Sequence, residues 1–483
     1  MNQTTRALTG RQLAALLPEV RGARPAYRHL SKAISALILE GQVALHVRLP
    51  SERALAEALR LSRPTVTASY DLLRAGGYAR SRQGSGTWTA LPEEALPHHV
   101  TRVLPAPEST IDLARAAPSL PPRVLEEALG RIAPQLVLHA RRTGYHPYGL
   151  PGLRAAVADR FTRRGLPTVP EQILITAGAQ HALTLVLGLL TAPGDRVLVE
   201  NPSYPNALEA IRRARLRTVS VPVSEHGWDA GIMEATLRQA LPRLAFLMPD
   251  FHNPTGLSMP AEVRARVLRA ARDTGTWLVI DETTAELALD VPAPAPFAAL
   301  AVPNAACRVI TLGSMSKTHW GGLRIGWLRA PSQVVTELAA QRVASDLGGS
   351  VLDQLLANAL LDGVEDLLPA HLEQLRVQRA ALSGALEEHL PQWSWRLPSG
   401  GLSIWVDIGE PIAVALAERS LEYGVRIEGG ACFATDPGVL ENRLRIPYTM
   451  PPAVLREAVG RMAAALAEGL KAPSATRWPP WVV

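Results

Sequence analysis

Lysine is nearly missing from this chain of 483 residues. Of its 50 basic side chains only Lys32, Lys317 and Lys471 are lysines. Arginine serves almost everywhere that positive charge alone is needed. A lysine kept in a pointed setting therefore offers what arginine lacks, an amine that can lose its proton when desolvated and attack a carbonyl. Cysteine is equally scarce: Cys307 and Cys432 are the only two, which excludes a disulfide framework and fits a reducing compartment. No uninterrupted apolar run is long enough to span a bilayer, and the polar start Asn2-Gln3-Thr4-Thr5 holds no apolar signal core. These absences lead to the expectation of a soluble, cytoplasmic protein with no membrane partner and no metal site.

What is present is enough for large cores. Apolar residues make up 47% of the chain, and the length calls for two or more domains. The net charge of +6 is unevenly placed. Residues 1–90 hold 13 basic and 5 acidic side chains, a net of +8, whereas the remainder holds 37 and 39, a net of −2. The basic character belongs to the N-terminal segment and implies a polyanionic partner there.

In that segment, Leu30, Ile34, Leu37 and Ile38 recur at helical spacing between Tyr27 and Glu40 and stop at Gly41. An extended piece, Val47 to Pro50, leads to Ser51 as the N-cap of a helix running to Leu59. Ser62 caps the next helix, Thr65 to Ala75, with Pro64 in its first turn and Gly76-Gly77 ending it. Arg63, Thr65, Thr67 and Ser69 gather at its start, where a recognition helix meets bases and phosphates. Tyr78 to Thr89 then forms two short strands around Gln83-Gly84-Ser85-Gly86, with Arg80 and Arg82 beside the tip. The motifs Pro50-Ser51-Glu52-Arg53, Ser62-Arg63-Pro64-Thr65-Val66 and Gly84-Ser85-Gly86-Thr87 fall in order at the spacing of a winged helix. This stretch resembles the GntR-type winged-helix DNA-binding domain. The resemblance implies that Arg53, Arg63, Thr65 and Thr67 touch DNA, and that the wing around Arg82, Gly84 and Gly86 reaches the adjacent minor groove.

Residues 91–110 carry Pro92, Pro97, Pro105 and Pro107 with no apolar period, the composition of a semi-extended linker. The expected division is a DNA-binding head over 1–90, this linker, a body over 111–470 and a tail over 471–483. In the body, apolar strands at Ile173–Ile175, Arg196–Val199, Thr218–Val221, Leu244–Leu247, Trp277–Ile280 and Arg308–Thr311 alternate with helical stretches such as Ala179–Leu190, Pro205–Ala214 and Ala261–Thr274. That alternation predicts an α/β fold with a mostly parallel sheet covered on both faces, and ligands beyond the carboxyl ends of its strands.

The residues at those ends form a set. Gly178-Ala179 opens a helix as a phosphate cradle would. Tyr204 presents a ring, Asn253 in His252-Asn253-Pro254-Thr255-Gly256 an amide, and Asp281 a carboxylate. Lys317 lies in the run Thr311 to Gly326, with Ser314, Ser316 and Arg324 around it as partners for a phosphate. Pyridoxal 5'-phosphate (PLP) needs an imine-forming amine, an anion at its ring nitrogen, a stacking surface, a donor to its phenolic oxygen and a phosphate cradle. Each need has a candidate.

From about Ile111 onward the chain resembles fold type I, class I/II aminotransferases with a small C-terminal α+β subdomain. The resemblance implies that Lys317 carries PLP as a Schiff base, Asp281 pairs with the ring nitrogen, Asn253 donates to the phenolic oxygen and Tyr204 stacks on the ring. Gly178, Ala179, Ser314, Ser316 and Arg324 would hold the phosphate. Tyr148 would reach the phosphate of a partner subunit, which implies a homodimer. Arg445, in Leu-Arg-Ile-Pro-Tyr, would clamp an effector carboxylate; an ordinary strand arginine is the alternative, with Arg443 nearby. One departure stands out: the tyrosine that often follows the family's aspartate is missing from Asp281-Glu282-Thr283-Thr284. The loss of a donor to the phenolic oxygen makes efficient transamination less secure than cofactor binding.

A GntR head joined through a Pro-rich linker to such a body resembles the MocR-type transcriptional regulators. That resemblance implies a PLP-binding regulator reading repeated or inverted half-sites in double-stranded DNA, with an amino acid or amine effector left open. The alternative is an active aminotransferase carrying an accessory DNA-binding domain.

Overall fold

The computed structural model describes residues 7–18, 25–82, 86–90, 109–301 and 308–470. The expected wing tip with Gly84, the Arg82 side chain, nearly all of the expected linker and the expected tail lie outside the described residues.

The N-terminal region packs the helices Ala26–Leu39, Glu52–Leu59 and Arg63–Ala75 over a small core. Leu30, Ile34, Leu55, Val66 and Leu73 have no exposed surface, and burying each contributes about 1.5–3 kcal/mol. The caps are those the sequence suggests: Ser51 accepts from the Ala54 N–H and Ser62 from the Thr65 N–H. Because Ser62 is the N-cap, the third of these helices begins at Arg63, two residues earlier than expected, with Pro64 inside its first turn. The strands Ala79–Arg82 and Gly86–Thr89 pair antiparallel, and Arg48 bridges to Trp88 as a third short rung. A helix at Gly10–Leu16 was not expected. Its Thr9–Gln12 capping box was the available signal.

In the body, all six expected strands enter one eight-stranded sheet. Its spatial order is Ile173–Thr176, Gly326–Arg329, Val309–Ser314, Trp277–Asp281, Leu244–Leu247, Arg196–Asn201, Arg217–Ser224 and Gly227–Trp228. Only Gly326–Arg329 and Gly227–Trp228 run against the rest. Alternate residues feed two separate cores. Ile175, Leu198, Leu247 and Ile280 face one helical layer, and Leu174, Val199, Phe246, Val279 and Ile310 face the other. Strands buried on both faces explain the nearly continuous apolar runs.

A smaller unit follows, with the four-stranded sheet Ser394–Trp395, Ser403–Asp407, Arg443–Pro447 and Glu428–Gly429 packed on the helices Val364–His389, Ala413–Glu422 and Pro452–Ala467. The strand Ile111–Asp112 pairs with Val425–Arg426 of this unit. The first residues of the body are thereby tied to its last third. No described helix is long and apolar enough to cross a membrane.

The head touches the body. The Leu440 N–H donates to the Leu39 carbonyl, and Asn201 Nδ2 donates to the Gly41 carbonyl at 3.4 Å. Arg443 pairs with Glu40 of the head at 3.3 Å and with Asp407 of the body at 3.2 Å.

Candidate functional site

A cavity of about 520 Å³ opens at the carboxyl ends of the strands, roofed by the smaller unit. It brings together Gly178, Ala179, Tyr204, Asn253, Asp281, Ser314, Ser316, Lys317, Arg324 and Arg445, which are all the expected cofactor and effector residues except Tyr148. The Tyr148 ring instead lies under the Arg154 guanidinium, 5.3 Å from it.

The floor is strand-borne. Asp281 ends the Trp277–Asp281 strand, buried, and its Oδ1 accepts the Thr283 N–H at 2.9 Å. Burial pushes its carboxyl above the usual range, with the bonds from Thr283 and the Lys317 charge pulling it back. Lys317 follows the Val309–Ser314 strand and donates to the Ala116 carbonyl at 2.7 Å. Burial first, then the Arg445 charge, brings its pKa down to about 8, against the opposing pull of Asp281. The amine is therefore within reach of its neutral, nucleophilic form near pH 8. Ser314 and Ser316 hydroxyls meet at 2.7 Å, and the Ser316 N–H points back to Ser314 Oγ. The Asn253 turn is fixed by the buried His252, whose Nδ1 meets Thr255 Oγ1 at 2.9 Å. The Tyr204 hydroxyl accepts from Asn206 Nδ2 at 2.8 Å.

The phosphate end of the cavity is narrow for a reason. Gly178 takes φ +97°, and a Cβ there would lie 2.9 Å from an Arg324 nitrogen. A Cβ on Gly326 would meet the Gly178 backbone at 2.6 Å. Backbone N–H groups at the start of Ala179–Leu190 therefore stand open beside a guanidinium, which suits an anion. Arg324 donates to the Ala177 carbonyl at 2.9 Å and is fixed toward that cradle.

At the other end Arg445 is buried, 5.1 Å over the Phe433 ring, and donates to the Ala114 carbonyl. Its Nε has no partner. Arg443 lies away from the cavity, among Glu40 and Asp407. Glu282, beside Asp281, turns out of the site to Arg164 and the Phe297 N–H. Thr283 and Thr284 line the cavity where the family tyrosine would follow. A carboxylate for the ring nitrogen, a low-pKa lysine, a glycine-bounded anion cradle and an arginine with an orphaned nitrogen together fit PLP and a carboxylate-bearing ligand.

Several lining groups were not expected: Ala114 to Ala117, Arg426, Glu428, Cys432 and Phe433. The segment 114–117 acts through carbonyl groups, which have no sequence signature. Glu428 was visible only as an acid after Val425-Arg426-Ile427 and before Gly429-Gly430.

In the head, Arg63 is 71% exposed and 3.8 Å from Glu52. Thr65 Oγ1 meets Ser62 Oγ at 2.7 Å, and Thr67 donates to Glu52 at 2.7 Å. Arg53 and Arg63 lie in the first turns of adjacent helices. Gly86 takes φ +102° beside the Arg48 guanidinium.

Residues 111–462 match the family "Aminotransferase class I and II" and residues 26–88 match "Bacterial regulatory proteins, gntR family". The HTH-type transcriptional regulator TauR of Rhodobacter capsulatus is 30% identical over 90% of this chain and 96% of its own. The probable rhizopine catabolism regulatory protein MocR of Rhizobium meliloti is 32% identical over 76% and 78%. Among solved structures, α-aminoadipate aminotransferase LysN of Thermus thermophilus, complexed with N-(5'-phosphopyridoxyl)-L-leucine, is 31% identical with a TM-score of 0.70, covering 75% of this chain and 93% of that one. The class I and II aminotransferase fold carries PLP, and the cavity described above fits it. With that body behind a GntR head, the chain belongs to the MocR-type transcriptional regulators of the GntR superfamily.

Proposed function

We propose that this regulator's DNA binding is set by PLP, or by PLP joined to an amino acid or amine, held as a Schiff base on Lys317. PLP supplies an electrophilic carbon for amines and a conjugated ring that reports its state in the visible spectrum. Lys317 would bind it through an amine whose pKa burial brings down to about 8. Asp281 would pair with the ring nitrogen, Asn253 with the phenolic oxygen, and Tyr204 would stack on the ring. Gly178, Ala179, Ser314, Ser316 and Arg324 would take the phosphate, and Arg445 the carboxylate of an effector.

One observation carries the regulatory reading: cavity wall and head share a loop. Cys432 and Phe433 line the cavity, and the same segment runs on to Leu440, which bonds to the head. Asn201 accepts the Thr435 N–H of that loop at 3.1 Å while donating to Gly41 of the head. A ligand that prefers one arrangement of this wall also prefers one placement of the head.

The head spans 1–90, a linker 91–110, the body 111–470 and a tail 471–483. The protein acts in the cytoplasm on double-stranded DNA with repeated or inverted half-sites, read by Arg53, Arg63, Thr65, Thr67, Arg82 and the wing glycines Gly84 and Gly86. A homodimer is supported by exposed Val137, Leu138, Tyr145, Val343, Leu347 and Leu352, 42–67% accessible. Their segments adjoin, since a Cβ on Gly348 would touch His146 and one on Gly144 would approach Val351. Tyr148 lies just past this patch and would serve the partner's phosphate.

The test is DNA binding upstream of the protein's own gene and its divergent neighbour, titrated with and without PLP at one salt concentration, because phosphate contacts make affinity salt-dependent. Specific binding that shifts with PLP, and a lost shift in Lys317→Ala, are expected. Weak binding indifferent to sequence and PLP, with fast turnover of an amino acid and a keto acid, would favour the enzyme instead.

A further inference from the structure

Three charged groups of the cavity take no part in holding the cofactor or the effector carboxylate: Arg115, Arg426 and Glu428. The two arginines lean on one carboxylate, Asp112, at 3.5 and 3.7 Å. Glu428 is placed differently. It sits on an edge strand directly opposite Arg445 in the antiparallel ladder. The two side chains therefore leave the sheet on one face, with Cβ atoms about 4.5–5.5 Å apart. Yet Arg445 gives a hydrogen bond to the Ala114 carbonyl and keeps Nε unpartnered. The partner within reach of the Glu428 carboxyl is the Cys432 thiol, a weak donor.

A carboxylate facing a ligand cavity, bonded only by a thiol that is shared with the Gly429 carbonyl at 3.1 Å and lying beside an arginine turned to another acceptor, is an incomplete ion site. Burial raises its pKa, and the charge of Arg445, the bond from Cys432 and the charge of Arg426 offset that only in part. What would complete it is a cation or strong donor brought by the ligand. The same charge repels a second ligand carboxylate, because the nearest unused positive groups already serve Asp112. We propose that Glu428 selects the side chain of the ligand, so that the site takes a basic, diamino monocarboxylic acid with its α-carboxylate on Arg445 and its distal ammonium on Glu428. This rests on the reading of the cavity as a PLP site.

The experiment uses the full-length PLP-loaded protein. L-Lysine, L-ornithine, L-norleucine and L-glutamate are titrated separately, with the visible band of the cofactor as readout. Norleucine is the neutral near-isostere of lysine. One charge-assisted hydrogen bond in a desolvated site should favour lysine or ornithine over norleucine by about tenfold or more, with glutamate weakest. Glu428→Gln should bring lysine and norleucine within about twofold while leaving norleucine affinity almost unchanged. Its cofactor band shows that the variant is folded and loaded.

Glutamate bound best by the native protein, or Glu428→Gln weakening all four ligands alike, would overturn the proposal. The latter would make Glu428 a positioning residue for Arg445. A native protein that forms no cofactor band removes the PLP reading and this inference with it. A protein that forms the band but does not discriminate among the four removes this inference alone.

Discussion

The floor and the outer wall of the cavity are built in opposite ways. Floor residues stand at the ends of strands embedded between two apolar layers: Asp281 and Lys317 follow neighbouring parallel strands, and Arg324 precedes the antiparallel one beside them. The wall is built of short pieces. It consists of Ala114 to Ala117, the two-residue edge strand Glu428–Gly429 and the single 3-10 turn Gly430–Phe433, and it continues into the contacts with the head. The difference separates two tasks. A cofactor that must be held in one geometry suits the centre of a large sheet, whereas a signal that must move something suits short edge pieces held by few sheet hydrogen bonds.

If the floor is a fixed PLP scaffold, Lys317→Ala should lose the visible cofactor band altogether, while wall substitutions such as Glu428→Gln keep it. The pH dependence of cofactor uptake sharpens the same contrast. With its amine brought down to about 8, Lys317 is mostly protonated below that value and mostly neutral above it. Uptake by the apo protein should therefore rise about tenfold per pH unit up to roughly pH 8 and then level off, whereas an ordinary lysine would keep climbing toward pH 10. Rapid-mixing absorbance measures it.

A smaller effect is expected at the junction. Arg443→Gln removes the link between Glu40 of the head and Asp407 of the body. It should leave the PLP spectrum unchanged and cut the PLP-induced change in DNA affinity by about threefold to tenfold, within the usual range of coupling energies. An unchanged DNA response would mean that this ion-pair link carries none of the coupling, leaving the Leu440 and Asn201 contacts as its route. The smallest effect belongs to the head alone. Arg63→Ala should reduce the slope of log affinity against log salt by about one without altering PLP binding.

How legible each part was follows from the same division. The head's helix starts are local events, so Ser51, Ser62 and Pro64 announced them within a few residues. The floor was legible because its key residues, Asp281 and Lys317, end or closely follow apolar strands, and strands buried on both faces leave a strong trace in composition. The antiparallel Gly326–Arg329 strand escaped notice because it follows the lysine run after only a short turn. The wall was not legible. Glu428 and Ala114 come together because Ile111–Asp112 pairs with Val425–Arg426 across more than three hundred residues, and no local pattern records such a pairing. At Arg445 the sequence left an ordinary strand arginine open, and burial beside Phe433 is what separates it from Arg443.

The segment from Ala114 to Ala117 is in effect a resident competitor. Its carbonyls already engage Lys317 and Arg445, the two cations that a cofactor and a ligand carboxylate would claim. Occupancy then depends on how often the segment yields as well as on intrinsic affinity, and the apparent dissociation constant is the intrinsic one divided by the fraction of time the segment is displaced. That shifts binding to higher ligand levels: low ones leave the segment mostly in possession, and higher ones displace it. The evicted chain begins only a few residues beyond the expected linker to the DNA-binding head, so displacement at the cavity would pull on the tether itself.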